Sequence, residues 1–338
     1  MRQAILYGAR DLRLLEGQLD TSSLAPDQVY VETEVSALST GTDLGNYLGD
    51  STYVPGAPDY PRAVGYSNVA RVVRTGTAVV GLRAGDRIFS TRPHQSAFIA
   101  RESDLLIRVP ESVSSEEASL SYLTHLGLAA LRQAAYQAGE NVAVVGLGVI
   151  GLCTVGLARA MGAKVAAIAN SGLRSEMALR VGASAALISD DPELESKLAG
   201  LFGNTGADIV VLTANPWAAY RLAVGIARYG GRVSILGFPG RGEAAPEFNA
   251  LDPRWFYKQQ LTLLGAGYAP RVECPPGDLR FNIRRNLEYI LDLMARKQLQ
   301  VEGLITHRLP AARMKEAYEL AREHSKSLVA AVFDWRAG

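Results

Sequence analysis

Cysteine is scarce: Cys153 and Cys274 are the two thiols in 338 residues. So few exclude a disulfide framework and a cysteine-rich metal site. Cys153 lies in an apolar, helix-like stretch and reads as a small core residue, whereas Cys274 lies in a proline-rich loop beside Pro275 and Pro276. An excess of charge is missing too. The 35 Lys and Arg nearly cancel 34 Asp and Glu, for a net charge of +1, so nothing electrostatic favours nucleic acid or an acidic membrane surface as partner. No apolar run approaches the roughly 20 residues of a membrane-spanning helix. The N-terminal MRQAILYGARDLRLL lacks a charged segment followed by a long apolar one. A cytoplasmic protein is expected. Internal repeats and low-complexity tracts are also lacking.

Glycine, by contrast, occurs 33 times. Gly146, Gly148 and Gly151 follow the apolar run 141–145 in GxGxxG spacing, and a helical stretch and a second strand, 164–169, come next. That order is the strand, turn, helix and strand of a dinucleotide site. The first glycine permits the tight turn, the second lets backbone approach a pyrophosphate, and the third lets helix and strand pack closely. The helix begins inside the motif, so its free N–H groups and positive dipole end would meet the phosphates. Gly146, Gly148, Val149, Ile150 and Gly151 are therefore expected cofactor contacts, with Thr213 in a later strand as another.

Length suggests about two domains at roughly 150 residues each. Residues 1 to about 120 read as short strands, including 28–35, 67–75, 86–90 and 96–100, with one short helix near 42–49. Ser114, Ser115, Glu116 and Glu117 then open a helical run, with serines suited to capping and acids in the first turn. Beyond Asn141 strands alternate with helices, at 142–145, 164–169, 185–189, 208–214, 232–238 and 261–265. This alternation predicts a parallel, doubly wound six-stranded sheet. From about 271 follow a proline-rich loop, a helix over 282–297, a connection containing His307 and a last strand over 328–334.

That layout resembles the medium-chain dehydrogenase/reductase superfamily. The matching stretches are Thr40-Gly41-Thr42-Asp43, Pro61-Arg62-Ala63-Val64-Gly65, Ala84-Gly85-Asp86-Arg87, the glycine turn and Tyr229-Gly230-Gly231-Arg232-Val233. The resemblance implies an α/β protein in which a GroES-like β-rich catalytic domain, 1–120 and 271–338, and a Rossmann domain, 121–270, flank a substrate cleft. It also implies a small-molecule substrate and a homodimer formed through the Rossmann domain. Zinc-dependent members carry Cys-Gly-Thr-Asp where this chain has Thr40-Gly41-Thr42-Asp43, and Gly-His-Glu where it has Gly65-Tyr66-Ser67. Ser121 stands at the usual third ligand, and the four-cysteine structural lobe is absent. Hydroxyls cannot replace thiolate and imidazole ligands, so an enzyme without zinc is expected. Ser39-Thr40-Gly41-Thr42-Asp43 with Gly65-Tyr66-Ser67 is similar to a bacterial branch that includes dehydrogenases of bacteriochlorophyll synthesis.

An NAD site usually places Asp or Glu about 20 residues past the glycine motif to bind the ribose 2′-hydroxyl. Here Ala169 stands there, followed by Asn170, Ser171 and Arg174. Without a carboxylate to repel a 2′-phosphate, and with a guanidinium to bind it, NADP(H) is favoured over NAD(H). Asn170 alone could still hold a 2′-hydroxyl, and Arg174 could be a solvated residue in the first turn of the next helix.

Without a metal, side-chain donors must handle the substrate oxygen. Thr42 matches the hydroxyl that relays a proton in the metal-containing relatives, or else caps the short helix. Tyr66, at the place of a ligand histidine, either donates to a carbonyl as general acid or fills the space as a wall residue. His125 falls where a family counterpart touches the nicotinamide, and either exchanges the proton or is a satisfied core residue. The expected reaction is NADP-dependent interconversion of a ketone or aldehyde with an alcohol. Reduction of an activated C=C bond, as in enone or quinone reductases, is the alternative. NADPH binding without catalysis is a second one.

Overall fold

The computed structural model describes residues 1–49, 59–170, 172–203, 205–266 and 282–337. Two compact units emerge: Met1–Tyr122 with Leu287–Lys297 and Glu302–Gly338, and Leu123–Asn286 with Gln298–Val301. Among the described residues no helix is long and apolar enough to cross a membrane.

The first unit is built on the ten-residue strand Gln28–Ala37, which pairs antiparallel with Asn68–Thr75, Ala97–Arg101 and Ala330–Asp334. Val29 and Val31 point into the core while Tyr30 between them is half-buried and Glu32 after them faces out, the two-residue period of a sheet with one buried face. Arg87–Ser90 and Leu106–Arg108 extend this sheet at one end. At the other end Ile305–Pro310 pairs parallel with Ala330–Asp334. His307 thus lies in a strand and not in the connection expected there, because a register shift between Ile305 and His307 hides the alternation. Arg2–Leu6, Leu12–Glu16 and Arg62–Ala63 form a separate three-stranded sheet. The helix Thr42–Leu48 follows the long strand directly and buries Leu44 and Tyr47 against Tyr318 and Phe333 from the C-terminal part.

Ser114 begins the helix Ser115–Ser119 with a capping box, its hydroxyl accepting from Glu117 N–H while the Glu117 side chain accepts from Ser114 N–H. Two donors at the helix start are thereby satisfied. The single helical run expected here is interrupted at Leu120, and a second helix spans Ser121–Gln133.

In the second unit six parallel strands lie side by side. Their order is Ala185–Ile188, Lys164–Ala169, Asn141–Val145, Ala207–Leu212, Ala227–Ile235 and Thr262–Gly265. Counted along the chain this is 3-2-1-4-5-6, the doubly wound order whose switch point lies at the carboxyl ends of the first and fourth strands. The strand expected over 232–238 begins earlier, at Ala227, and kinks at Gly230, where φ is +67°. The strand expected over 208–214 stops at Leu212, which leaves Thr213 and Ala214 outside the ladder beside the glycine turn.

Candidate functional site

Gly146 takes φ +97° as the chain leaves the first strand of the parallel sheet. A Cβ on Gly151 would lie 1.9 Å from Gly146 O, so the helix Val149–Ala160 can approach its strand only through a glycine. Thr213 closes the same turn, with Oγ1 donating to Gly146 O at 2.7 Å. Gly148 is the N-cap, without a side-chain cap hydrogen bond. The first N–H groups of this helix are therefore not claimed by a capping side chain, as an anion site at a helix start requires. Val149 is buried and Ile150 half-buried. These residues fit a dinucleotide: a turn with room for backbone approach and an uncapped helix start behind it.

The second strand ends on buried Ala169, and Asn170 beyond it is exposed. Ser171 lies outside the described residues, as does Cys274. Arg174 sits in the first turn of Gly172–Arg180 but is half-buried, and its Nη1 donates to Leu147 O at 3.2 Å. It also approaches the place where a Gly148 Cβ would stand, at 3.8 Å. Burial lowers its pKa, yet a guanidinium remains charged at any physiological pH. The solvated role is thus replaced by one in which the arginine lies against the glycine turn.

In the first unit, the hydroxyls of Tyr66, Ser39 and Thr42 come together. The Tyr66 hydroxyl donates to Ser39 Oγ at 2.5 Å, and the Thr42 side chain also bonds the phenol. Thr42 does not cap its helix: the N-cap is Gly41, with no side-chain cap bond, and Thr42 is the first helical residue. Buried Asp43 fixes the surroundings, its Oδ2 accepting from Ser39 N–H at 2.9 Å and its Oδ1 from Gly65 N–H at 3.0 Å. The Tyr66 ring packs edge-on to Tyr122 at 4.9 Å. Burial, and next the charge of Asp43, push the phenol pKa up, so Tyr66 holds its proton throughout the neutral range. Ser121 is fully buried, and its Oγ finds no partner among the described residues.

Zinc does not fit this set of donors. Thr40, Tyr66 and Ser121 offer neutral hydroxyl oxygens, one already bonded to Ser39, where zinc requires thiolate, imidazole or carboxylate.

His125 is 1% exposed, and its Nδ1 accepts from Asn286 Nδ2 at 3.2 Å. Asn286 Oδ1 in turn accepts from Arg132. Burial, followed by the nearby Arg132 charge, pushes the imidazole down to about 4. A histidine neutral at pH 7 and bonded within its own unit matches the core role better than proton exchange. His94 is buried as well, bonded through Nδ1 to Ser36 Oγ at 2.8 Å.

Ser39, Asp43 and Asn286 are the residues that sequence reasoning missed in these clusters. Ser39 precedes the Thr-Gly-Thr-Asp stretch, and nothing in a one-dimensional reading links it to Tyr66, 27 residues away. A groove of about 1190 Å³ lies elsewhere in the first unit, lined by Tyr30, Glu34, Arg71 and Trp335 among others. Its Arg71 is already paired with Glu34.

The zinc-binding dehydrogenase family model matches residues 149–281. That span begins after Thr40, Tyr66 and Ser121, so the match carries no information on zinc ligands. Sorbitol dehydrogenase of Bacillus subtilis (strain 168) is 24% identical over 276 residues, 72% of this chain and 76% of the relative. NADP-dependent alcohol dehydrogenase C 1 of Mycolicibacterium smegmatis is 33% identical over 183 residues, 53% of this chain and 51% of the relative. The crystal structure of galactitol-1-phosphate dehydrogenase from Escherichia coli superposes with a TM-score of 0.80, covering 99% of this chain and 100% of the other at 20% identity. At that identity the superposition speaks for the fold alone.

Proposed function

We propose that the chain is an oxidoreductase of the medium-chain dehydrogenase/reductase superfamily, a reading that the family match over residues 149–281 and the relatives support, and that it interconverts a small ketone or aldehyde with an alcohol, using NADP(H) and no zinc. The hydroxyl cluster Ser39–Tyr66–Thr42, in which Tyr66 takes the place of a ligand histidine in the zinc-dependent members the sequence resembles, is the observation that carries this reading. A bound nicotinamide supplies or accepts the hydride. Gly146 to Gly151 would hold its pyrophosphate, Thr213 would support that turn, and Asn170 and Arg174 would meet the adenosine ribose and its 2′-phosphate. Tyr66 keeps a proton at neutral pH and gives it to the substrate oxygen as negative charge develops there.

The test uses protein purified after exhaustive chelation, with NADPH and a matched set of cyclohexanone, benzaldehyde and 2-cyclohexen-1-one. Turnover of the saturated ketone or the aldehyde, with metal analysis finding far less than stoichiometric zinc, is expected. Turnover of the enone alone would move the chemistry to the C=C bond. NADPH binding without turnover of any member would reduce the protein to a binding role, and stoichiometric zinc would remove the metal-free mechanism.

A further inference from the structure

A phenol has one proton, and in this structure Tyr66 spends it on Ser39 Oγ. If that proton passes to a substrate oxygen, the phenolate left behind is half-buried and feels the charge of Asp43, so it needs a donor at once. A serine hydroxyl both accepts and donates, and Ser39 already stands at 2.5 Å. Its side chain is 2% exposed, so water does not compete freely for it. Its backbone is fixed as well. Ser39 N–H and Gly65 N–H bond the two oxygens of Asp43, and Asp43 N–H bonds Ser39 O at 3.0 Å. One carboxyl group thus ties down both Ser39 and the residue preceding Tyr66.

We propose that Ser39 is the positioning residue for Tyr66: it aims the phenol by accepting its hydrogen bond, then reverses and donates its own O–H to the phenolate as the proton leaves. The inference rests on the reading of Tyr66 as proton donor. In the reducing direction, hydride goes to the carbonyl carbon and the Tyr66 proton to the carbonyl oxygen. The Ser39 proton stays on serine, and solvent restores the phenol. Ser39 touches neither substrate nor cofactor in this scheme.

The experiment measures steady-state reduction of the best saturated carbonyl of the panel by NADPH in wild type, Ser39→Ala, Tyr66→Phe, the double variant and Ser39→Thr. Ser39→Ala is expected to lower kcat roughly 10- to 100-fold, a part of the effect of a general acid, with KM and NADPH affinity nearly unchanged. Unchanged NADPH affinity also reports an intact fold. The double variant is expected to be no slower than Tyr66→Phe, since a phenylalanine leaves Ser39 nothing to aim, and Ser39→Thr should recover most of the rate. Losses that multiply in the double variant, or a wild-type kcat in Ser39→Ala, overturn the role of Ser39 while leaving Tyr66 standing. A wild-type kcat in Tyr66→Phe overturns Tyr66 as donor and Ser39 with it.

Discussion

Arg174 donates from Nη1 to the carbonyl oxygen of Leu147 at 3.2 Å, so a side chain from the start of one helix lies against the glycine turn that opens another. The glycine turn and this guanidinium are therefore neighbours in space, although 27 residues separate Leu147 from Arg174 in sequence.

Replacing this arginine should discriminate between the cofactors. A charge-assisted hydrogen bond is worth about 1.5–3 kcal/mol, so Arg174→Ala should weaken NADPH roughly 10- to 100-fold and NADH by no more than about twofold. Fluorescence titration with both nucleotides measures this. Equal losses for the two would show that Arg174 braces the turn without reading the phosphate.

Two glycines of the turn should fail in different ways. A Gly151→Ala methyl would meet Gly146 O at 1.9 Å, so the helix must move off its strand. Such overpacking typically costs about 1–3 kcal/mol, and Gly151→Ala should lose both several degrees of Tm and NADPH binding. A methyl on Gly148 meets only the end of the Arg174 side chain, at 3.8 Å. Gly148→Ala should keep its Tm and still bind NADPH more weakly, because its methyl would occupy the space a pyrophosphate needs. Calorimetry and titration of both variants check the contrast, and unaltered NADPH binding in Gly148→Ala would count against the pyrophosphate assignment.

Burial of His125 makes stability depend on pH. In the unfolded chain an imidazole takes up a proton near pH 6.5, whereas in the fold His125 resists protonation down to about 4. The unfolded state thus binds more protons between these values, and stability falls as pH drops through that window. The shift corresponds to roughly 3 kcal/mol lost by pH 4, most of it already gone at pH 4.5. Urea unfolding at pH 7.5 and pH 4.5 should show a smaller drop in His125→Gln than in wild type. An identical drop in both would mean that His125 is protonated in the fold.

The parts of this chain that could be read in advance are those whose signal is local. The strand Lys164–Ala169 lies where its apolar run ends, the capping box at Ser114 and Glu117 forms as its residue types suggest, and the glycine turn has the close contacts its spacing demands. Ile305–Pro310 was hidden because a register shift breaks its two-residue period. Thr42 could be read as a cap or as a chemical hydroxyl, and only the backbone at Gly41 separates the two. His125 was equally ambiguous, since its partner Asn286 stands 161 residues away.

Sequence by itself determined the doubly wound sheet, the place of the glycine turn and the hydroxyl side chains at Thr40, Tyr66 and Ser121. Each of these follows from residue type and near-neighbour spacing, which the chain carries in one dimension. Tertiary structure alone decided that the Tyr66 hydroxyl donates its hydrogen bond to Ser39, that Arg174 leans on Leu147 and that His125 is sealed in the core as a neutral ring. Hydrogen bonding and desolvation act over a few ångströms of space, and residues far apart in the chain become neighbours only after it has folded.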